Sequence, residues 1–112
     1  MCPRGMVEQI GPQELHALMR DAPHDLCILD VRESDERAFA RIEPSLHIPM
    51  GELPRRMGEL PQDRRIVVYC HSGNRSSMVA GFLEMEGFAR VANLTGGIDG
   101  WSRRVDPSVP RY

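Results

Sequence analysis

Apolar positions along this chain fall into two kinds of segment. Residues 26–31 (Leu-Cys-Ile-Leu-Asp-Val) and 66–69 (Ile-Val-Val-Tyr) are short, nearly continuous apolar runs, the pattern of strands buried on both faces. Residues 7–10 predict a short edge strand, 46–49 a strand stopped by Pro49, and 88–94 a last strand. Between them, apolar residues recur at helical spacing. Leu15, Leu18 and Met19 follow Pro12. Residues 33–40 read as a short charged helix. Residues 51–60 read as an amphipathic helix weakened by Pro54 and ended by Pro61. Met78, Val79, Phe82, Leu83 and Met85 mark a further helix, and residues 98–104 a final short one. Strands alternating with helices predict an α/β domain. Its central parallel sheet of about five strands is flanked by helices on both faces. Right-handed crossovers then bring the loops that follow the strands to one sheet edge, where ligands sit in such folds.

One junction in this pattern carries chemistry. The run 66–69 ends at Cys70-His71-Ser72-Gly73-Asn74-Arg75, and a helix starts directly after it. A loop closing onto a helix start presents backbone N–H groups that have no intrahelical partner. Gly73 permits the backbone to turn them inward as an anion-binding nest. A thiol at its centre is drawn toward thiolate by those donors, by the helix dipole and by the Arg75 guanidinium. Cys70 alone would read as a buried core cysteine. Cysteine, glycine and arginine within six residues of a strand–helix junction favour a nucleophile. Cys27, in mid-strand, reads as a packed core residue.

Composition narrows the partners. The chain has 112 residues, 41% hydrophobic and 27% charged, with a formal charge of −2. That fits one globular domain and gives no basic footprint for nucleic acid or an anionic membrane. Every basic residue apart from histidine is arginine, spread along the whole chain. The longest apolar run is too short to span a bilayer. Residues 1–6 read as a disordered lead-in without a signal-peptide core. Three cysteines without a Cys-x-x-Cys pair suggest neither a disulfide framework nor a structural zinc site, and the four histidines show no paired ligand spacing. A reducing, cytoplasmic setting and no metal are the expectations.

The segment Cys70-His71-Ser72-Gly73-Asn74-Arg75-Ser76 resembles the active-site loop of rhodanese-type sulfurtransferases. Leu29-Asp30-Val31-Arg32-Glu33 with Glu36 resembles the same family's Asp-Val-Arg segment. Leu94-Thr95-Gly96-Gly97-Ile98-Asp99-Gly100-Trp101 resembles its Gly-Gly-x-x-x-Trp closing signature. The resemblance divides the chain into a rhodanese-like domain over 7–104 and a tail over 105–112, the tail being similar to that of a bacterial single-domain subgroup. Two places depart from the pattern. Ala40-Arg41-Ile42-Glu43-Pro44-Ser45 lacks the usual glycines and histidine, and Arg37 stands where an aromatic is usual. Both bear on substrate preference more than on reaction type.

The resemblance implies a cysteine persulfide mechanism with no cofactor. Cys70 takes the outer sulfur of a donor such as thiosulfate and passes it to cyanide, a thiol or a sulfur-carrier protein, and a persulfide-bearing desulfurase is an alternative donor. The loop His71, Ser72, Gly73, Asn74, Arg75 and Ser76 supplies main-chain donors, with Arg75 attracting an anionic donor and His71 standing at the pocket mouth. Asp30 and Arg32 read as supporting residues, Asp30 satisfying backbone donors and Arg32 pairing with Glu36 or another carboxylate. Trp101 reads as a core anchor. Two other classes compete, a non-catalytic rhodanese-type binding module and a cysteine-dependent phosphatase or arsenate reductase. Phosphatase loops place five residues between cysteine and arginine, whereas four separate Cys70 from Arg75.

Overall fold

A computed structural model describes residues 7–112, so the lead-in expected over 1–6 lies outside the described residues. Five strands form one parallel sheet: β1 (Glu8–Ile10), β2 (Leu26–Asp30), β3 (Leu46–His47), β4 (Arg65–Tyr69) and β5 (Val91–Leu94). Their order across the sheet is β1-β5-β4-β2-β3, so β4, the strand that leads into Cys70, is central. Helices α1 (Pro12–Asp21), α2 (Ser34–Phe39), α3 (Leu53–Arg56), α4 (Asn74–Met85) and α5 (Gly97–Arg104) connect and cover the strands.

Strand periodicity sorts the core into two layers. Ile66, Val68 and Cys70 face one side, where they pack with Leu53 of α3 and with Val79, Ala80 and Leu83 of α4. Val67 and Tyr69 face the other, against Leu15 of α1 and Ile98 and Trp101 of α5. Trp101 is buried there, with the His16 ring edge-on to it. The sheet is thus covered on both faces, as its apolar strands require.

Two expected elements differ. Residues 51–60 do not make one helix. A 3₁₀ turn (Met50–Glu52), the single α-helical turn α3 and a second 3₁₀ turn (Met57–Glu59) take their place. Pro54 has no N–H to donate and its ring excludes the preceding turn, so the helix restarts around it. The last strand begins at Val91 rather than at Phe88. The Phe88 N–H closes the end of α4 by donating to the Leu83 carbonyl, at 3.1 Å, and its ring is buried in the α3–α4 layer.

The ends of β2, β4 and β5 are tied together. The N–H of Val31 donates to Tyr69 O at 3.2 Å, and those of Ile98 and Asp99 donate to Cys70 O and His71 O at 2.9 and 3.1 Å. The start of α5 therefore holds the strand exit that carries the cysteine. Gly97 sits there with φ +58°, and a Cβ on it would lie 2.5 Å from both carbonyl oxygens.

Candidate active site

Cys70 is the first residue past β4 and is 1% exposed. Its Sγ accepts hydrogen bonds from the Gly73 N–H at 3.1 Å and the Ser76 hydroxyl at 3.3 Å. Burial alone would push the thiol pKa up. The Ser76 hydroxyl and the N–H groups of Ser76, Gly73 and Ser72 outweigh it, and the pKa falls below the ordinary thiol value. Gly73, at φ +113°, caps the N-terminus of α4. That turn gathers the donors around one sulfur. The Ser76 hydroxyl also lies 2.5 Å from Asn93 Oδ1 on β5. Having one hydrogen, it serves Asn93 or Cys70 at any moment. The Asn93 amide in turn donates to Gln9 Oε1 at 2.9 Å.

Arg75, the second residue of α4, makes a two-pronged ion pair with Glu36 of α2, both contacts at 2.8 Å. The Cys70 thiolate is a further negative charge that holds Arg75 protonated. Glu36 is drawn down to a pKa of about 2, chiefly by Arg75, against the cost of burial. Arg75 is thus beside the cysteine but committed to a carboxylate, and it is not among the main groups that lower the thiol. The hydrogen-bond donors of the loop carry that effect.

Asp30 and Arg32, both fully buried, form their own fork, Nε to Oδ1 at 2.9 Å and Nη2 to Oδ2 at 2.8 Å. The Arg32 N–H and the Tyr69 hydroxyl also donate to Asp30, each at 3.0 Å. Arg32 reaches on to Ala40 O at 2.6 Å and Glu36 O at 3.3 Å. Its carboxylate partner is therefore Asp30, and Glu36 meets it only through the main chain. Burial opposes ionisation of Asp30, yet Arg32 holds its pKa below the usual carboxylate value. The pair locks the connection after β2 against β4. Arg37, in place of the usual aromatic, ties that connection further, donating to Asp30 Oδ2 at 3.2 Å and to the Ser45 hydroxyl and carbonyl at 2.8 Å each.

His71 does not turn toward Cys70. Its ring stacks on Tyr112, with centroids 4.2 Å apart and planes 16° from parallel. The Tyr112 hydroxyl accepts from Arg32 Nη1 at 2.8 Å and donates to Glu36 Oε1 at 3.0 Å. The 105–112 tail is held back along the domain by Ser102 Oγ on Val109 O at 2.6 Å and by Arg111 on Asp99 at 3.0 Å. Sequence reasoning missed the parts played by Glu36, Tyr112 and Asn93. Glu36 stood in a quoted motif, but no local spacing shows a contact across the 76 positions to Tyr112.

The Rhodanese-like domain family profile matches residues 11–104. The chain belongs to the rhodanese-like domain family. A sulfurtransferase from Allochromatium vinosum is 39% identical over 104 residues, covering 93% of this chain and 96% of that one. The putative sulfurtransferase YtwF of Bacillus subtilis is 38% identical, covering 78% and 84%. Among solved structures, a rhodanese-related protein from Thermoplasma volcanium superposes with a TM-score of 0.81 at 30% identity, covering 94% of this chain and 99% of that one. The relatives place the chain among sulfurtransferases at that general level. Among the described residues no helix is long and apolar enough to cross a membrane.

Proposed function

We propose that this rhodanese-like domain moves a sulfane sulfur from a donor such as thiosulfate to a thiophilic acceptor through a persulfide on Cys70. The observation that carries the reading is the Cys70 sulfur itself, buried, aimed into its loop and held by Gly73 and Ser76. The thiolate attacks the outer sulfur of thiosulfate, the S–S bond breaks, and sulfite leaves with the bonding pair. Cys70 is left as a persulfide anion whose terminal sulfur takes over the negative charge. Loop N–H groups aimed at the first sulfur are placed to stabilise the second as it forms. An acceptor thiolate or cyanide then attacks the terminal sulfur and restores the Cys70 thiolate. Two displacements through one covalent intermediate give ping-pong kinetics, and no cofactor enters. Asp30 and Arg32 act as supports, and a reducing, cytoplasmic setting keeps Cys70 available.

The names of two relatives support a protein or persulfide partner. One, from Bacillus subtilis, is named a putative sulfur carrier protein and is 40% identical over 86 residues, 46% of its own length. A structure named as an NAD-dependent persulfide reductase from A. fulgidus shares 37% identity and a TM-score of 0.67 over 16% of its chain. Phosphoryl transfer fits less well. Its charge is spread over three equatorial oxygens, and a loop with Arg75 already on Glu36 offers them little. Thiosulfate–cyanide turnover assayed beside hydrolysis of an aryl phosphate tests the reading. Cys70-dependent sulfur transfer with negligible phosphate release supports it, and phosphate release at a comparable rate contradicts it.

A further inference from the structure

Arg75 is the cation nearest the proposed chemistry in sequence, and its charge is already matched. Both of its outer nitrogens lie 2.8 Å from Glu36. Glu36 is itself fixed from two other directions. Its Oε2 accepts the Glu33 N–H at 2.9 Å, and its Oε1 accepts the Tyr112 hydroxyl at 3.0 Å. Tyr112 is fixed in turn by Arg32 at 2.8 Å, by the His71 ring at 4.2 Å and by the edge of Phe39 at 5.8 Å. A carboxylate held this way cannot swing off when an anion arrives without giving up several hydrogen bonds. The remaining charges at the loop do not replace Arg75. Arg32 is buried on Asp30, and Asp99 below His71 is shared between Arg103 and Arg111.

Building on the sulfur-transfer reading, we propose that Glu36, pinned by Tyr112, is a specificity-determining residue. It masks Arg75 and biases the site against dianionic donors, toward organic persulfides carrying at most one negative charge. A dianion gains from an open guanidinium roughly in proportion to its charge, and loses that gain when a fixed carboxylate already neutralises it. A persulfide RSSH has less to lose. Its step balances without a cationic site: Cys70 thiolate attacks the outer sulfur, the S–S bond breaks, and RS⁻ leaves and takes the proton of the transferred sulfur. The products are RSH and the Cys70 persulfide anion.

The test compares thiosulfate with 2-hydroxyethyl persulfide as donors for the full chain. Glu36→Gln should lower the KM for thiosulfate about three- to fivefold, the scale of a partly exposed ion pair. The kcat should change less than about twofold, and kcat/KM for the persulfide should hold. The gain should shrink in high salt and vanish when Arg75→Ala is added. Tyr112→Phe keeps the stacked ring and removes the hydroxyl, so it should shift the donor ratio the same way by a smaller factor, and it serves as the test if Glu36→Gln fails to fold. A donor ratio unchanged in either folded variant, or equal losses with both donors, overturns the masking role. Wild-type protein that turns over neither donor overturns the sulfur-transfer reading with it, an outcome distinct from an active enzyme with an unchanged ratio.

Discussion

Cys27 lies within β2 and Cys70 just past the end of the neighbouring β4, yet their thiols are pushed in opposite directions. Burial raises Cys27, outweighing the opposing charge of Arg64. Burial also acts on Cys70, but four hydrogen-bonding contributions from Ser76, Gly73 and Ser72 reverse it. Alkylation of Cys70 should therefore proceed below pH ~8.5, the free-thiol value, whereas Cys27 should need more alkaline conditions. Mass mapping of labelled protein against pH checks both, and parallel profiles would remove the preformed thiolate. Glu36 gives a second residue-scale prediction. Its folded pKa of about 2 lies below its ordinary 4.5. Between those values the unfolded chain binds more protons, so the contribution is complete above about pH 4.5 and is lost as pH falls toward 2. Glu36→Gln should cost about 1–2 kcal/mol at neutral pH, allowing for solvent screening. Its stability should also fall less steeply on acidification, as urea midpoints measured across that range will report.

At the scale of elements, the site depends on two glycine turns that fix the distance between β4 and its neighbours. Gly97 brings α5 so close that its Cβ position falls on the carbonyls of Cys70 and His71. Gly97→Ala should destabilise the domain by roughly 2–4 kcal/mol, combining left-handed strain with a backbone clash, and a lowered Tm accompanied by lost thiol reactivity would show it. A residue inserted after Gly73 should move Ser76 away from Cys70 and abolish sulfur transfer, whether or not any phosphatase activity results. The strands and the cysteine turn were legible because apolar runs and the Gly73 break are local signals. The 51–60 segment was misread because its apolar spacing is helical while Pro54 vetoes a continuous ladder. The strand start at 88 was misread because the Phe88 ring is apolar to fill the α3–α4 layer, while its N–H closes α4 instead of pairing in the sheet.

Over the whole molecule, the sheet order brings the ends of β2, β4 and β5 to one edge. The Asp30–Arg32 fork, the cysteine loop and the 105–112 tail meet there. The two segments resembling family motifs on either side of the loop were readable one by one. Their wiring was not, since Arg75–Glu36 spans 39 positions and Tyr112–Arg32 spans 80. Charge types alone left Arg32 free to pair with Glu36 or another carboxylate. Only the register that sets Asp30 beside Tyr69 decides between them. What the assembled edge is proposed to accomplish, one sulfur held on one cysteine, is most directly tested by intact-protein mass before and after thiosulfate, for wild type, Cys70→Ser and Cys27→Ser. The account predicts a gain of one sulfur atom, removed by cyanide, in wild type and Cys27→Ser and none in Cys70→Ser. A gain that survives in Cys70→Ser and disappears in Cys27→Ser would contradict it.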